Sequence, residues 1–293
     1  MKNLDRLADE FVVEPGEKVS LKKEYRTRIK PDVEKDELKA LLQDGILQLA
    51  SQQDKLYAEA NYALLIVLQA MDAAGKDSTI KHVMSGVNPQ GCRVYSFKAP
   101  SAEELNHDYL WRCSRLLPER GCIGIFNRSY YEEVLVSRVH PEILAKQRLP
   151  DHLNDKNIWK RRFSEINNFE RYLVDNGIIV LKFFLYVSKE EQKKRFLARI
   201  DQPEKNWKFS ADDARDRNCW DDYIKAYEDC FSHTSTDWAP WHVIPADYKP
   251  FTRLAVAHII QKKLKQLKLD YPQISDKQHQ ELLAAKKILD AES

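Results

Sequence analysis

Five short apolar runs, separated by longer stretches whose apolar residues recur at helical spacing, organise this chain. Ala63–Leu68, Cys92–Phe97, Cys122–Phe126, Ile178–Val187 and Trp241–Ile244 predict strands, and the poverty of polar positions in the longer runs predicts strands covered on both faces. Residues 34 to 60 carry Leu38, Leu41, Leu42, Ile46, Leu49 and Leu56 at helical intervals, the pattern of a long amphipathic helix. Further helices are expected over 76–85, from Ser101 to about Leu117, over 129–139 and 155–176, from Ser188 to about Ile200, and over 214–232, 251–269 and 276–291. Strands alternating with helices imply an α/β fold, a mainly parallel sheet with helices on both faces. Residues 1–33, charged and broken by Pro15, Gly16 and Pro31, read as an extended arm. Residues 34–270 read as one domain, and 271–293 as a C-terminal helical tail.

Composition narrows the class. At 293 residues, 43% hydrophobic and 31% charged, the chain can build one globular domain with a sizeable core. A net charge of +2 excludes the global basic field of a nucleic-acid coat, so nucleic acid is not an expected partner. Cys92, Cys113, Cys122, Cys219 and Cys230 are odd in number and form no CxxC pair, which suits reduced thiols. No apolar run reaches membrane-spanning length, and Met1–Glu10 is polar, so a cytoplasmic protein is expected.

The chemistry enters at residues 70–79, Ala-Met-Asp-Ala-Ala-Gly-Lys-Asp-Ser-Thr, directly after the first strand. A strand, a tight turn and a helix beginning at Lys76 aim the amides of Ala73, Ala74, Gly75, Lys76, Asp77 and Ser78 at one point, where the helix terminus favours an anion. Lys76 would reach the phosphoryl oxygens as a point charge. The loop departs from the G-x-x-x-x-G-K-[ST] pattern at two places, Ala70 for the first Gly and Asp77 for the Ser/Thr. Asp72 lies inside the loop, where a carboxylate beside phosphates calls for a bridging Mg²⁺ or orients the phosphoryl acceptor. At the tip of the third strand stand Asn127, able to meet a metal through its carbonyl or a water, and Arg128, a bidentate clamp for phosphate oxygens. Arg195 and Arg199 on one helix, then Lys205, Lys208 and Arg215 in the charged segment 201–217, form a candidate lid over the phosphates.

These segments resemble the polyphosphate kinase 2 family. The match rests on Met71–Asp77, on Phe126-Asn-Arg-Ser-Tyr-Tyr-Glu132, on Pro203–Phe209 with Trp220-Asp-Asp-Tyr223, and on Ala239-Pro-Trp241 through Ile244-Pro-Ala-Asp247. The resemblance implies a P-loop kinase three-layer sandwich with a helical lid, an assembly of two or four copies, and inorganic polyphosphate as phosphoryl donor. It further implies Mg²⁺ held by Asp72 with help from Asn127, and a chain threaded past Lys76, Lys81 and Arg128. Asp-Ser-Thr after Lys76 and Asn127-Arg128 are similar to the branch that phosphorylates AMP and ADP. Other branches often carry Asp at position 127, which leaves Asp72 the main carboxylate. Two other readings share the loop: a nucleoside monophosphate kinase using ATP, and a non-catalytic phosphate- or nucleic-acid-binding module.

Overall fold

The computed structural model describes residues 2–31, 33–207, 209 and 215–292. Five strands, β1 (Ala63–Ala70), β2 (Cys92–Ser96), β3 (Ile123–Asn127), β4 (Ile178–Tyr186) and β5 (Trp241–Pro245), form one sheet in the order β2-β3-β1-β4-β5. All four pairings are parallel. β1 lies at the centre, and every one of its residues is buried, because helices cover both faces.

Helices α3 (Lys35–Glu59), α4 (Lys76–Val83) and α12 (Lys249–Gln266) pack together on one side. On the other side α6 (Glu132–Val139), α8 (Ile158–Asp175) and α11 (Trp220–Thr234) pack on one another, with α8 against β4. From β1 the chain crosses to the β2 edge and back to β3, then passes over β1 to β4 and β5. The order therefore reverses beside β1, and open α/β sheets bind ligands in the crevice left by such a reversal, here at the carboxyl ends of β1, β3 and β4. α9 (Lys189–Asp201), capped by Ser188 through the amide of Glu191, rises from β4 beside that crevice, and the short α10 (Pro203–Asn206) follows it.

Two segments differ from expectation. Residues 1–33 hold helices α1 (Lys2–Asp9) and α2 (Leu21–Glu24), and Val12 bridges antiparallel to His242 on the free edge of β5. Phe11, Val13 and Leu21 enter the core, so burial rather than periodicity orders this arm. The stretch after Ser101 is a 3-10 turn (Glu104–Asn106) and the four-residue α5 (Trp111–Ser114), not one helix. The Asp108 carboxylate accepts from the amide of Leu110 at 2.9 Å and closes a local turn that competes with continuous helix. The five cysteines are free, and no helix among the described residues is long and apolar enough to cross a membrane.

A buried ionic cluster pins the turn between β3 and α6. Lys182 on β4 and Glu170 on α8 are both 0% exposed. The Lys182 ammonium donates to Glu170 at 2.6 Å, to the Tyr131 hydroxyl at 2.9 Å and to the carbonyl of Thr234 at 2.7 Å, using all three protons. Tyr130 and Tyr131 each donate to the same Glu170 oxygen at 2.8 Å. Burial drives the Lys182 pKa down while Glu170 opposes it. Replacing Lys182 by Met strands the Glu170 charge, so Lys182→Met is expected to cost about 3–5 kcal/mol in urea unfolding. Adding Glu170→Gln should restore part of that loss.

Candidate active site

Five residues, Met71–Gly75, turn the chain from β1 into α4. Gly75 sits at φ +113°, open to a residue without Cβ, whereas Ala73 takes φ +59° at a cost of roughly 1–2 kcal/mol for an L-residue. What holds Ala73 there is α9. The Arg195 guanidinium donates to the carbonyls of Ala73 (3.1 Å) and Ala74 (2.7 Å), and also to Ala246 (2.7 Å) and Asp247 (3.3 Å) beyond β5. Its Nε donates to Glu191 at 2.9 Å. Gln192 Nε2 donates to the carbonyl of Asp72 at 3.0 Å. With these carbonyls taken from outside, the amides of Ala73 and Gly75 donate to no backbone carbonyl among the described residues, whereas the amide of Ala74, expected to bind phosphate, closes the turn onto the carbonyl of Met71 at 3.3 Å.

Arg195 therefore has another place than the lid expected for it. It is 8% exposed, and its donors are turned onto loop carbonyls. Arg199, one turn on, stacks over Phe196 at 5.6 Å, and Lys205 and Arg215 are exposed. Lys208 lies outside the described residues. Lys81 is exposed on α4, one turn beyond Ser78.

Asp72, Lys76, Asn127 and Arg128 do come together. Arg128 adopts φ +64°, with its amide bound to the carbonyl of Leu68, and this turns its side chain over the loop. Its guanidinium donates to Asp72 at 2.8 Å and to Glu132 at 3.2 Å, and those two carboxylates, Glu132 foremost, raise its pKa above the ordinary guanidinium range. Lys76 folds back to donate to the carbonyl of Ala70 at 3.0 Å. Burial, then repulsion from Arg128, pushes the Lys76 pKa down to about 8 against the attraction of Asp72 and Glu132. Asn127 Nδ2 donates to Asp77 at 2.7 Å, which leaves its carbonyl oxygen uncommitted to that bond.

The first turn of α4 thus faces Asp77 towards β3 and Ser78 towards α12, where Arg253 donates to the Ser78 hydroxyl at 2.8 Å. Arg253 Nε has no hydrogen-bond partner among the described residues. Burial lowers the Arg253 pKa, and burial followed by repulsion from Arg195 and Arg253 lowers that of nearby Lys249. Sequence reasoning missed this cationic pair, since Lys249 and Arg253 lie far from the loop in sequence and show only their spacing of four on a helix. It also missed the roles of Tyr223 and Tyr227 on α11, whose hydroxyls are held protonated by burial and by the neighbouring acids Asp72 and Glu132.

A cavity of about 370 Å³ opens on the far side of α6. Leu105, Leu110 and Leu149 supply apolar wall, and Arg112, Glu133 and Arg162 supply charge. Arg112 is 6% exposed, and its Nε has no partner among the described residues. Successive residues of α6 face the two places: Glu132 holds Arg128, and Glu133 lines the cavity.

No group of three or more His, Cys, Asp or Glu side chains fit to hold a metal occurs among the described residues. The oxygen donors at the loop are the Asp72 and Asp77 carboxylates and the Asn127 carbonyl. So sparse a set fits Mg²⁺, which takes one or two carboxylates and fills its sphere with substrate oxygens and water.

The low Lys76 pKa sets a pH dependence. Below about 8 the ammonium is charged; above it, about tenfold of the charged form is lost per pH unit. Affinity for inorganic triphosphate, followed by calorimetry from pH 7 to 9.5, should fall through that point, and the fall should be much shallower in Lys76→Arg.

Residues 32–272 match the profile of the family described as polyphosphate kinase 2 (PPK2). The chain is 51% identical to an ADP-polyphosphate phosphotransferase of Rhodopseudomonas palustris, over 96% of this chain and 97% of that one. It is 47% identical to an AMP/ADP-polyphosphate phosphotransferase of Meiothermus ruber, over 77% of this chain and 80% of that protein. The crystal structure of polyphosphate kinase 2 from Arthrobacter aurescens superposes with a TM-score of 0.85 at 40% identity, over 96% of this chain and 95% of that one. A profile match across most of the chain, on a fold shared this closely, leaves one assignment: the chain belongs to the polyphosphate kinase 2 family.

Proposed function

We propose that this chain is a polyphosphate-dependent nucleotide phosphotransferase. It moves phosphoryl groups from inorganic polyphosphate to AMP, ADP or both, giving ADP and ATP, and the reaction is reversible. The observation that carries this reading is the spread of cations around the phosphate loop: Lys76 and Arg128 inside the crevice, Arg253 and Lys249 on the α12 side of the first turn of α4. A polyanion long enough to touch all four suits that spread. The relatives from Rhodopseudomonas palustris and Meiothermus ruber, named for polyphosphate with ADP or with AMP and ADP, support the substrate class.

In this reading the donor's terminal phosphoryl group rests on the loop amides and the Lys76 ammonium. The acceptor's terminal phosphate oxygen attacks that phosphorus in line, and the shortened polyphosphate leaves. Arg128 neutralises charge that spreads over the equatorial oxygens. Asp72 orients the acceptor phosphate, which is already ionised and needs no base. Mg²⁺, held by Asp72 with the Asn127 carbonyl and substrate oxygens, would supply charge neutralisation between donor and acceptor. We assign the acceptor nucleoside to the cavity lined by Leu105, Leu110 and Glu133, because α6 joins it to the Arg128 site.

We also propose a cytoplasmic homo-oligomer. Helix α13 (Asp276–Asp290) exposes Leu282, Leu283, Ile288 and Leu289 although both halves of its capping box are formed, and an isolated helix of this length is marginal in water.

The test supplies polyphosphate, Mg²⁺ and AMP, ADP, GMP or GDP without ATP. Formation of ADP or ATP is expected, and no product with any acceptor would sink the reading; turnover with ATP and AMP alone would favour an ATP-dependent nucleoside monophosphate kinase. A second expectation concerns the cations that would meet the polyphosphate chain beyond the loop. Lys249→Ala with Arg253→Gln should raise KM for long polyphosphate by about tenfold or more while leaving KM for the nucleotide nearly unchanged.

A further inference from the structure

Helix α9 touches the loop from behind, and one of its side chains is tied at both ends. Gln192 is 2% exposed. Its Nε2 donates to the carbonyl of Asp72 at 3.0 Å, and its Oε1 accepts from Arg217 Nη1 at 2.9 Å. The same Arg217 nitrogen donates to the carbonyl of Lys189 at 2.7 Å, which fixes the guanidinium against the first turn of α9. Arg217 belongs to the turn Arg217–Cys219 that runs straight into α11. The path from α11 to the backbone of Asp72 is thus two side chains long, and both are hydrogen-bonded along it.

We propose that Gln192 and Arg217 are positioning residues that make the geometry of the phosphate loop depend on the seating of α11. Gln192 meets the loop at the carbonyl of Asp72, and Arg217 meets it through Gln192. By occupying the oxygen end of the Gln192 amide, Arg217 fixes which way that amide faces and keeps its Nε2 on the carbonyl of Asp72. Asp72 is then gripped twice, its carbonyl by Gln192 and its carboxylate by Arg128. Without the relay the carbonyl grip loosens, and the carboxylate loses its place relative to Lys76 and Arg128. α11 also carries Tyr223 and Tyr227 beside the Asp72 and Arg128 charges, so one helix bears on the site along two routes.

The kinetic consequence rests on the phosphotransfer reading, whereas the coupling itself does not, and two measurements keep them apart. In the full-length substrate-free protein, Arg217→Leu should speed hydrogen exchange several-fold at the amide of Ala74, which is bonded to the carbonyl of Met71, although Arg217 does not contact it. In turnover, Gln192→Leu and Arg217→Leu should each lower kcat by about tenfold or more, with KM for the nucleotide within about twofold of the parent. The double variant should be little worse than either single one, because both break the same relay. Arg217→Lys, which keeps a donor for the Gln192 oxygen, should recover most of the activity. Unchanged exchange at Ala74 in Arg217→Leu, or single effects that multiply in the double variant, would overturn the proposal. A parent protein inactive on polyphosphate would remove the function and leave the exchange result to decide the relay.

Discussion

A peptide unit cannot present its amide in one direction without sending its carbonyl in the other. That constraint governs this molecule. A loop whose amides gather into a crevice must find partners for the carbonyls it turns outward, since buried and unpaired carbonyls are costly. Gln192 and Arg195 provide them at three consecutive residues, 72, 73 and 74. The requirement fixes where α9 must lie, and with it the carboxyl end of β4. The remaining donors of Arg195 reach the carbonyls beyond β5, so three parts of the sheet's carboxyl edge are tied through one guanidinium.

A second constraint sits on the other side of β1. The turn from β3 into α6 must hold Arg128 in a left-handed conformation that an L-residue avoids. Its neighbours do this from within the core. Tyr130 and Tyr131 are sealed against Glu170 and Lys182, and Ser129 receives the side-chain amide of Gln69 at 3.2 Å. A fully buried ion pair is an expensive way to stabilise a fold. Here its position, directly behind Arg128, relates it to the rigidity of the site.

Much of this was legible in the sequence, for identifiable reasons. Apolar runs as short as Ala63–Leu68 and Ile178–Val187, rich in Ile, Val and Phe, suit buried strands better than helices, and Gly75-Lys76 after the first of them marks the loop even where Ala70 and Asp77 break its pattern. Asn127 and Arg128 could be placed because parallel neighbours end on the same edge. The role of Arg195 could not. Helical periodicity shows that Arg195 and Arg199 share a face, but not that one of them looks onto carbonyls instead of solvent. Arg253 was hidden by distance along the chain, since only the packing of α12 on α4 brings it to Ser78. The short helices of the arm were hidden for a related reason: a segment ordered by docking onto the edge of β5 needs no periodicity of its own.

The pairing of Arg128 with both Asp72 and Glu132 has a consequence for selectivity. The guanidinium has two anionic neighbours, which are carboxylates of the protein itself. Any incoming anion competes with these internal counter-ions, and a singly charged one such as chloride brings no advantage over them. Only a ligand carrying several charges close together can outbid two carboxylates at Arg128 while also meeting Lys76 and the loop amides. The acids around the arginine therefore act as a threshold on valence, and they keep the crevice from being filled by the commonest anions of the surrounding solution.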